Sequence, residues 1–357
     1  MWDFLYCPDY WDDLEYICQF PSIDWDRLKG KSVLLSGATG QIGSCLVDAI
    51  MHKNISGQLN CTIIGLTRNA EKARNRFYKW SDSEYLRLIS CDICDPDESF
   101  FDTRGDFVLH LASNTHPVAY ASDPVGTIKT NIYGTDYMLK SAIYGKADCF
   151  LLASSNEVYG ECRGDAALFD ESYCGYINCN SLRAGYPESK RCAESLLQAY
   201  RTKYGLPAVV ARLTRTYGPT LLPDDSKAMS QFIQNAIKKE DIVLKSAGNQ
   251  FYSYTYVADA VTGLLTVLTR GVDGEAYNIA EPAYDGKLSD IAHLLAKISG
   301  TMVRFEMPGD VESRGFSKVT ISRLANDKIA GIGWSAGYSL EKGLRRTVKI
   351  LRKGETD

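Results

Sequence analysis

Ser32-Val-Leu-Leu-Ser36-Gly37-Ala-Thr39-Gly40-Gln41-Ile42-Gly43 passes from a short apolar run through three glycines into a segment, up to about His52, whose apolar residues recur at helical spacing. That order predicts strand, tight turn and helix. The glycines have a physical purpose in this setting. A sharp turn needs residues without a Cβ, and so does close backbone approach to a pyrophosphate. The first turn of the following helix then offers N–H groups and the positive end of its dipole to the anion. The stretch predicts a dinucleotide site formed by Gly37, Thr39, Gly40, Gln41, Ile42 and Gly43.

Further strand-like runs follow: Cys61-Thr-Ile-Ile-Gly-Leu66, Tyr85-Leu-Arg-Leu-Ile-Ser90, Phe107-Val-Leu-His-Leu111 and Cys149-Phe-Leu-Leu-Ala-Ser154, most of them separated by helical stretches. This alternation predicts an α/β fold, a doubly wound parallel sheet of Rossmann type covered on both faces. Residues 1–30 read as a helical, aromatic extension, and residues 31–217 as the dinucleotide-binding domain. Residues 218–357 read mainly as a smaller C-terminal substrate-binding lobe, with 250–270 returning to the first domain. In that lobe the segment from about Ser226 to Lys239 reads as a helix, Ile242-Val-Leu-Lys245 as a strand, and the tail from Gly333-Trp334 to Thr347 ends in a basic helix.

The chain has 357 residues and a formal net charge of -4, with 45% hydrophobic and 24% charged residues. A mildly acidic chain gives no support to a nucleic-acid surface or a polybasic membrane patch, so a small-molecule site is expected. Its acidic, aromatic start lacks the pattern of a signal peptide and no apolar run reaches membrane-spanning length, which predicts a cytoplasmic protein. Eleven scattered cysteines read as free thiols rather than a disulfide framework. Cys91-Asp-Ile-Cys94 has no second pair at zinc-binding spacing, so no metal is expected.

The second predicted strand ends Thr67-Arg68-Asn69, without the acidic residue that would hold a ribose 2′-hydroxyl. Arg68 can pair with a 2′-phosphate, which leans toward NADP, although NAD can also be held by backbone contacts. Asp92 or its neighbour Ile93 is a candidate adenine contact. Downstream, Arg183-Ala-Gly-Tyr186-Pro-Glu-Ser-Lys190-Arg191 puts Tyr186 and Lys190 four residues apart on one helix face. An ammonium beside a phenol favours the phenolate, which would make Tyr186 a base near neutral pH.

With these residues placed, the chain resembles the extended short-chain dehydrogenase/reductase family of nucleotide-sugar epimerases, dehydratases and decarboxylases, from about Lys31 to about Ile350. The resemblance rests on Gly37–Gly43, His110-Leu111-Ala112-Ser113, Thr130-Asn131, Ser154-Ser155-Asn156-Glu157-Val-Tyr-Gly160, Tyr186–Lys190, Arg212 with Tyr217-Gly-Pro219, and Tyr256-Val-Ala-Asp259. Ser154 to Gly160, Arg183 and Lys190-Arg191 most resemble the branch that decarboxylates UDP-glucuronate. The resemblance implies a bound NAD that takes hydride from C4 of the sugar and returns it, and a UDP-sugar as the expected substrate. In it, Tyr186 removes the 4-hydroxyl proton, Lys190 lowers the tyrosine pKa and holds the nicotinamide ribose, and Ser155 hydrogen-bonds the same hydroxyl. It further implies that Glu157 handles protons at neighbouring carbons, that Asn131 braces the site, and that Leu111, Ala112 and Ser113 contact the cofactor. A homodimer through two long helices is also implied.

Three positions depart from the family. Asn156 stands where dehydratases carry an aspartate, and an amide cannot donate an acidic proton, which disfavours dehydration. Tyr252 stands where decarboxylases carry an arginine that contacts the nucleotide-sugar, and Arg215 where the family carries an asparagine near the diphosphate. Together with Ser155, Glu157 and Arg183 these form the expected substrate site. C4 epimerisation, an NADPH-dependent reduction of a sugar or sugar phosphate, and a non-enzymatic nucleotide sensor remain alternatives to decarboxylation.

Overall fold

The computed structural model, which describes residues 3–115, 122–306 and 319–353, builds its central sheet from apolar runs that are largely buried, except at one edge strand, where Arg87 and Ser90 are exposed. The runs are β1 (Ser32–Ser36), β2 (Thr62–Thr67), β3 (Leu86–Ser90), β4 (Phe107–His110), β5 (Cys149–Ser155) and β6 (Ala208–Leu213). The short strands β7 (Arg215–Tyr217), β8 (Ile242–Leu244), β9 (Phe251–Tyr252) and β10 (Tyr254–Tyr256) precede β11 (Ala276–Ile279). Beyond it lie β12 (Gly286–Lys287), β13 (Val303–Phe305) and β14 (Ile321–Ser322). The helices are α1 (Pro8–Cys18), α2 (Gln41–Gly57), α3 (Ala70–Arg76), α4 (Pro124–Gly145), α5 (Gly185–Tyr204), α6 (Ala228–Lys238), α7 (Val257–Arg270), α8 (Leu288–Ser299), α9 (Asp327–Ala330) and α10 (Leu340–Lys353).

Seven strands lie in the order β11-β6-β5-β4-β1-β2-β3, every neighbouring pair parallel. The strand order reverses between β1 and β4, and ligands of such sheets bind outside the strand ends at that point. All seven residues of β5 are buried, as expected for a central parallel strand. The expected doubly wound sheet is present, with two further members, β6 and β11, that the strand-like runs above do not include. Among the described residues no helix is long and apolar enough to cross a membrane.

Helix α1 is a buried part of this fold. Its face carries Tyr10, Asp13, Leu14 and Ile17 inward against α2 and α7. Tyr10 donates to Asp48 of α2 at 2.6 Å and Tyr16 to Asp259 of α7 at 2.7 Å. Asp13 accepts from Tyr256, from Tyr338 and from Arg346 of α10. Asp259 also accepts the backbone N–H groups of Gly337 and Tyr338 at 2.9 and 3.0 Å.

Burial pushes the carboxyls of Asp13 and Asp259 up to about 6, against the lowering effect of Arg346 on the first and of the Gly337 N–H on the second. Each holds its proton more tightly folded than unfolded. Between about pH 4 and 6 the folded chain therefore carries more protons, and stability increases as pH falls through that window. The expected contribution is about 1–3 kcal/mol per carboxyl. Unfolding by denaturant at pH 6.5 and at pH 4.5 should show it, with a flatter dependence in Asp259→Asn. An unchanged slope in that variant contradicts the assignment.

Candidate functional site

The three glycines of the first turn serve different ends. Gly37 has φ +74°, and a Cβ there would stand 2.7 Å from the Ala112 nitrogen at the end of β4. At Gly43 a Cβ would stand 2.2 Å from the Gly37 oxygen, so this glycine lets α2 lie against the turn. Gly40 caps α2, and the nearest atom to a Cβ there is the same oxygen at 3.2 Å. Its outer side is open to an approaching ligand. Nε2 of Gln41, buried without a hydrogen-bond partner among the described residues, lines the same cavity. A helix amino terminus, an open glycine and an idle amide donor fit a dinucleotide pyrophosphate.

That cavity, about 430 Å³, runs from Gly37, Gly40, Gln41, Ile42 and Gly43 past Leu111 and Ser113 to Tyr186 and Lys190. It continues to Ser155, Asn156, Glu157, Arg183, Arg215 and Tyr252. Thr39, Arg68, Asp92, Ile93, Ala112 and Asn131 are not part of its lining. Arg68 is exposed just beyond β2. Asp92 is exposed too, and its side chain accepts from the Cys94 N–H at 2.9 Å, closing a local turn. Ile93 is buried, and its Cδ1 would meet a Cβ at Gly134 of α4.

Tyr186 and Lys190 lie one turn apart near the start of α5, both buried. Lys190 Nζ donates to the Ala153 carbonyl of β5 at 2.9 Å, and burial pushes its ammonium down to about 8. The Tyr186 phenol is within hydrogen-bonding reach of the Ser155 and Ser113 hydroxyls. The expectation that this phenol is shifted down does not hold for the protein alone. Burial first and the Glu157 carboxylate second push it up to about 12, while Ser155, Arg183 and Ser113 pull the other way. Desolvation outweighs neighbouring cations when the charged form is an anion in a dry pocket.

Asn131, fully buried on α4, explains how the hydroxyls are placed. It accepts from Ser113 at 2.7 Å and donates to Ser189 of α5 at 2.8 Å, and Ser189 donates to the Tyr186 carbonyl at 2.9 Å. The asparagine is a brace between the β4 end and the helix carrying the tyrosine. His110, the last residue of β4, shares a 2.7 Å hydrogen bond with Ser36, and burial pushes it down to about 3. It is neutral scaffold.

Ser155 ends β5 and accepts from the Glu157 N–H at 3.2 Å, starting the 3-10 turn Asn156–Tyr159. That turn points Glu157 back over the site, where both its oxygens accept from Arg183 at 2.7 Å. Asn156 donates to Ser322 of β14 at 2.7 Å. An aspartate would lack that N–H, so the amide ties the end of β5 to the small β12-β9-β14 sheet that also carries Tyr252. Arg215 and Tyr252, the other two departures, touch: the guanidinium lies 3.3 Å from the ring centroid. Behind them, Glu194 accepts from Ser154 at 2.5 Å and from Arg212 at 2.7 Å, fixing the β5 and β6 ends together.

Tyr254, Lys227 and Lys245 also line the cavity and lie outside the expected site. The alternation Tyr252-Ser-Tyr254-Thr-Tyr256 was the available signal for the first, because period-two aromatics share a face. The lysines flank α6 and β8 with no motif to mark them.

The sequence model of the NAD dependent epimerase/dehydratase family matches residues 33–280. UDP-glucuronic acid decarboxylase 3 of Arabidopsis thaliana is 32% identical over 318 residues, which cover 87% of this chain and 86% of the relative. UDP-glucuronic acid decarboxylase 1 of Xenopus tropicalis is 30% identical over 328 residues, 90% of this chain and 72% of the relative. The UDP-glucose 4-epimerase of Thermotoga maritima, solved with UDP-glucose, shares the fold at a TM-score of 0.76 and 24% identity, over 90% of this chain and 99% of the other. The UDP-glucuronic acid 4-epimerase of Bacillus cereus, solved with UDP-glucuronic acid and NAD, gives 0.76 and 22% over 90% and 99%.

Proposed function

The chain belongs to the NAD dependent epimerase/dehydratase family, and from that premise we propose that it acts on a nucleotide-sugar, oxidising C4 transiently with a bound NAD and releasing carbon dioxide from a uronate. One observation carries the reading. The Tyr186 phenol and the Ser155 hydroxyl share a wall of the cavity whose far end is the Gly37–Gly43 turn. Bound NAD supplies a hydride acceptor and donor and, when oxidised, a positive charge that favours the phenolate.

Tyr186 removes the 4-hydroxyl proton as hydride leaves C4, and Ser155 orients that hydroxyl. Lys190, held by Ala153, steadies the ribose side of the site. A ketone at C4 stands β to the sugar carboxylate. The electron pair of the breaking C5–C6 bond then enters the carbonyl as an enolate, carbon dioxide departs, a proton returns to C5, and C4 takes back the hydride while its oxygen takes back the proton from Tyr186. Glu157, clamped by Arg183, is placed to order the water or hydroxyl that moves this proton. Asn156 offers no acidic proton, so loss of water is disfavoured. The relatives named above support the uronate as substrate, and a UDP-linked one first.

The test is incubation of the purified protein with a panel of nucleotide-sugars, read by mass spectrometry. Loss of carbon dioxide from a uronate is the expected result. Unchanged mass with altered stereochemistry would make it a 4-epimerase, loss of water would contradict the reading of Asn156, and steady NADPH oxidation would make it a reductase, with Arg68 as the 2′-phosphate contact.

A homodimer is part of the same proposal. Helices α4 and α5 pack along each other and α4 leaves Val125, Ile128, Tyr133 and Tyr144 exposed. Apolar residues on a rigid helix pair suit an isologous contact. Sedimentation as a single monomeric species would remove this part of the proposal.

A further inference from the structure

Arg215 opens β7, and its in-register neighbour on β10 is Tyr254. Nη1 of Arg215 and the hydroxyl of Tyr254 are both buried without a hydrogen-bond partner among the described residues, and both residues line the cavity. Native interiors leave few donors idle, and two adjacent ones call for a shared acceptor. Tyr252 gives the arginine its orientation. The guanidinium stacks 3.3 Å from the ring centroid, which leaves its N–H edge for acceptors. The ring itself is fixed: Tyr252 is buried, pairs with Ser322 in the small sheet, and donates to the Val319 carbonyl at 2.5 Å. Lys245 also lines the cavity, as does Lys227, whose charge is paired with Asp225 at 2.6 Å, so Arg215 is the cation whose stacked face leaves an N–H edge toward it.

Resting on the nucleotide-sugar reading, we infer that Arg215, stacked on Tyr252 and assisted by the Tyr254 hydroxyl, receives the diphosphate of the substrate. A planar fork with free N–H groups matches phosphoryl oxygens, whereas a base or a sugar hydroxyl needs no cation. The Gly37–Gly43 turn already offers a site to the cofactor pyrophosphate, which assigns the Arg215 end to the second diphosphate. The charge that the family resemblance expects on β9 is thereby supplied from β7, and Tyr252 becomes its support.

The inference is tested on the NAD-loaded protein by calorimetric titration with UDP, dTDP, CDP and GDP, followed by the monophosphate and free nucleoside of the tightest binder. Arg215→Ala is expected to weaken that diphosphate about 10- to 100-fold, the range of one charge-assisted hydrogen bond. It should leave the nucleoside and NAD unaffected. Arg215→Lys should restore only part of the loss, because an ammonium lacks the fork, and Tyr254→Phe should weaken the diphosphate by a smaller factor. Equal losses for nucleoside and diphosphate, or loss of NAD with the diphosphate retained, overturn the assignment. If Arg215→Ala does not fold, unchanged diphosphate affinity in both other variants overturns it. Wild-type protein that binds none of the four diphosphates defeats the nucleotide-sugar reading itself. Binding that all three variants preserve defeats only the role of Arg215.

Discussion

Tyr186→Phe is expected to lower kcat by about 100- to 10,000-fold, the range a positioned general base supplies, with the substrate KM little changed and NAD still bound. The phenyl ring keeps the packing of the phenol, and Lys190 keeps its hydrogen bond to Ala153 because that bond does not involve the tyrosine. What disappears is the oxygen that Ser155 and Ser113 surround. Turnover by mass spectrometry and cofactor content after denaturation measure the two halves separately. Turnover at the wild-type rate would end the proposed mechanism, and so would loss of turnover caused by loss of the cofactor. The phenol sits at about 12 in the protein alone, too high for a base near neutral pH. The wild-type rate should therefore titrate well below 12 once cofactor and substrate are bound, by the positive charge that oxidised NAD brings.

Asp48→Asn is expected to cost about 3–5 kcal/mol, the usual penalty for stripping a buried charge of its partner. Asp48 is fully buried on α2 and pairs with the equally buried Arg76 of α3. Its Oδ1 accepts from Trp80 Nε1 at 2.8 Å and its Oδ2 from Tyr10 of α1 at 2.6 Å. An amide keeps the shape but not the charge, and its NH2 group faces donors, so the guanidinium is left in a dry interior. Denaturant titration monitored by circular dichroism reads the loss, and a change under 1 kcal/mol would show that the cluster tolerates neutralisation. Because Asp48 lies on the helix that starts at the glycine turn, NAD binding should weaken with the same variant.

The sheet was legible where local signals agreed. Ser32–Ser36, the glycine turn and the α2 start are fixed by composition alone, and the predicted strands begin or end within one residue of β1 to β5. Strands β6 and β11 were not: Gly205-Leu-Pro207 and Gly274 do punctuate them, but Ala208-Val-Val-Ala-Arg-Leu213 and Ala276-Tyr-Asn-Ile279 carry small and polar residues among the apolar ones, and partners remote in sequence decide whether they pair. In the site, the i,i+4 spacing of Tyr186 and Lys190 was readable, but the direction of the tyrosine shift was not. It depends on burial and on Glu157, which chain spacing does not report. The same holds for Asn156. Its residue type excludes an acid, while its bond to Ser322 is separated from it by 166 positions.

The extension at the start of the chain constrains how the molecule can be made. Helix α1 docks on α10 through Asp13, the Asp9 carbonyl and the Asp9 carboxylate, which meet Arg346 and Lys349 across sequence separations of 333, 337 and 340 residues. Asp13 also bonds Tyr256 of β10, 243 positions away, and Tyr16 bonds Asp259 of α7 at the same separation. A ribosome adding about 5–20 residues per second needs on the order of tens of seconds between making α1 and making α10. During that interval the apolar face of α1 has part of its final surface missing, whatever the rest of the sheet has done. Contacts of such long range slow folding, because the loop-closure entropy is spent before they form. Translation rate therefore sets how long that face of α1 waits for α10.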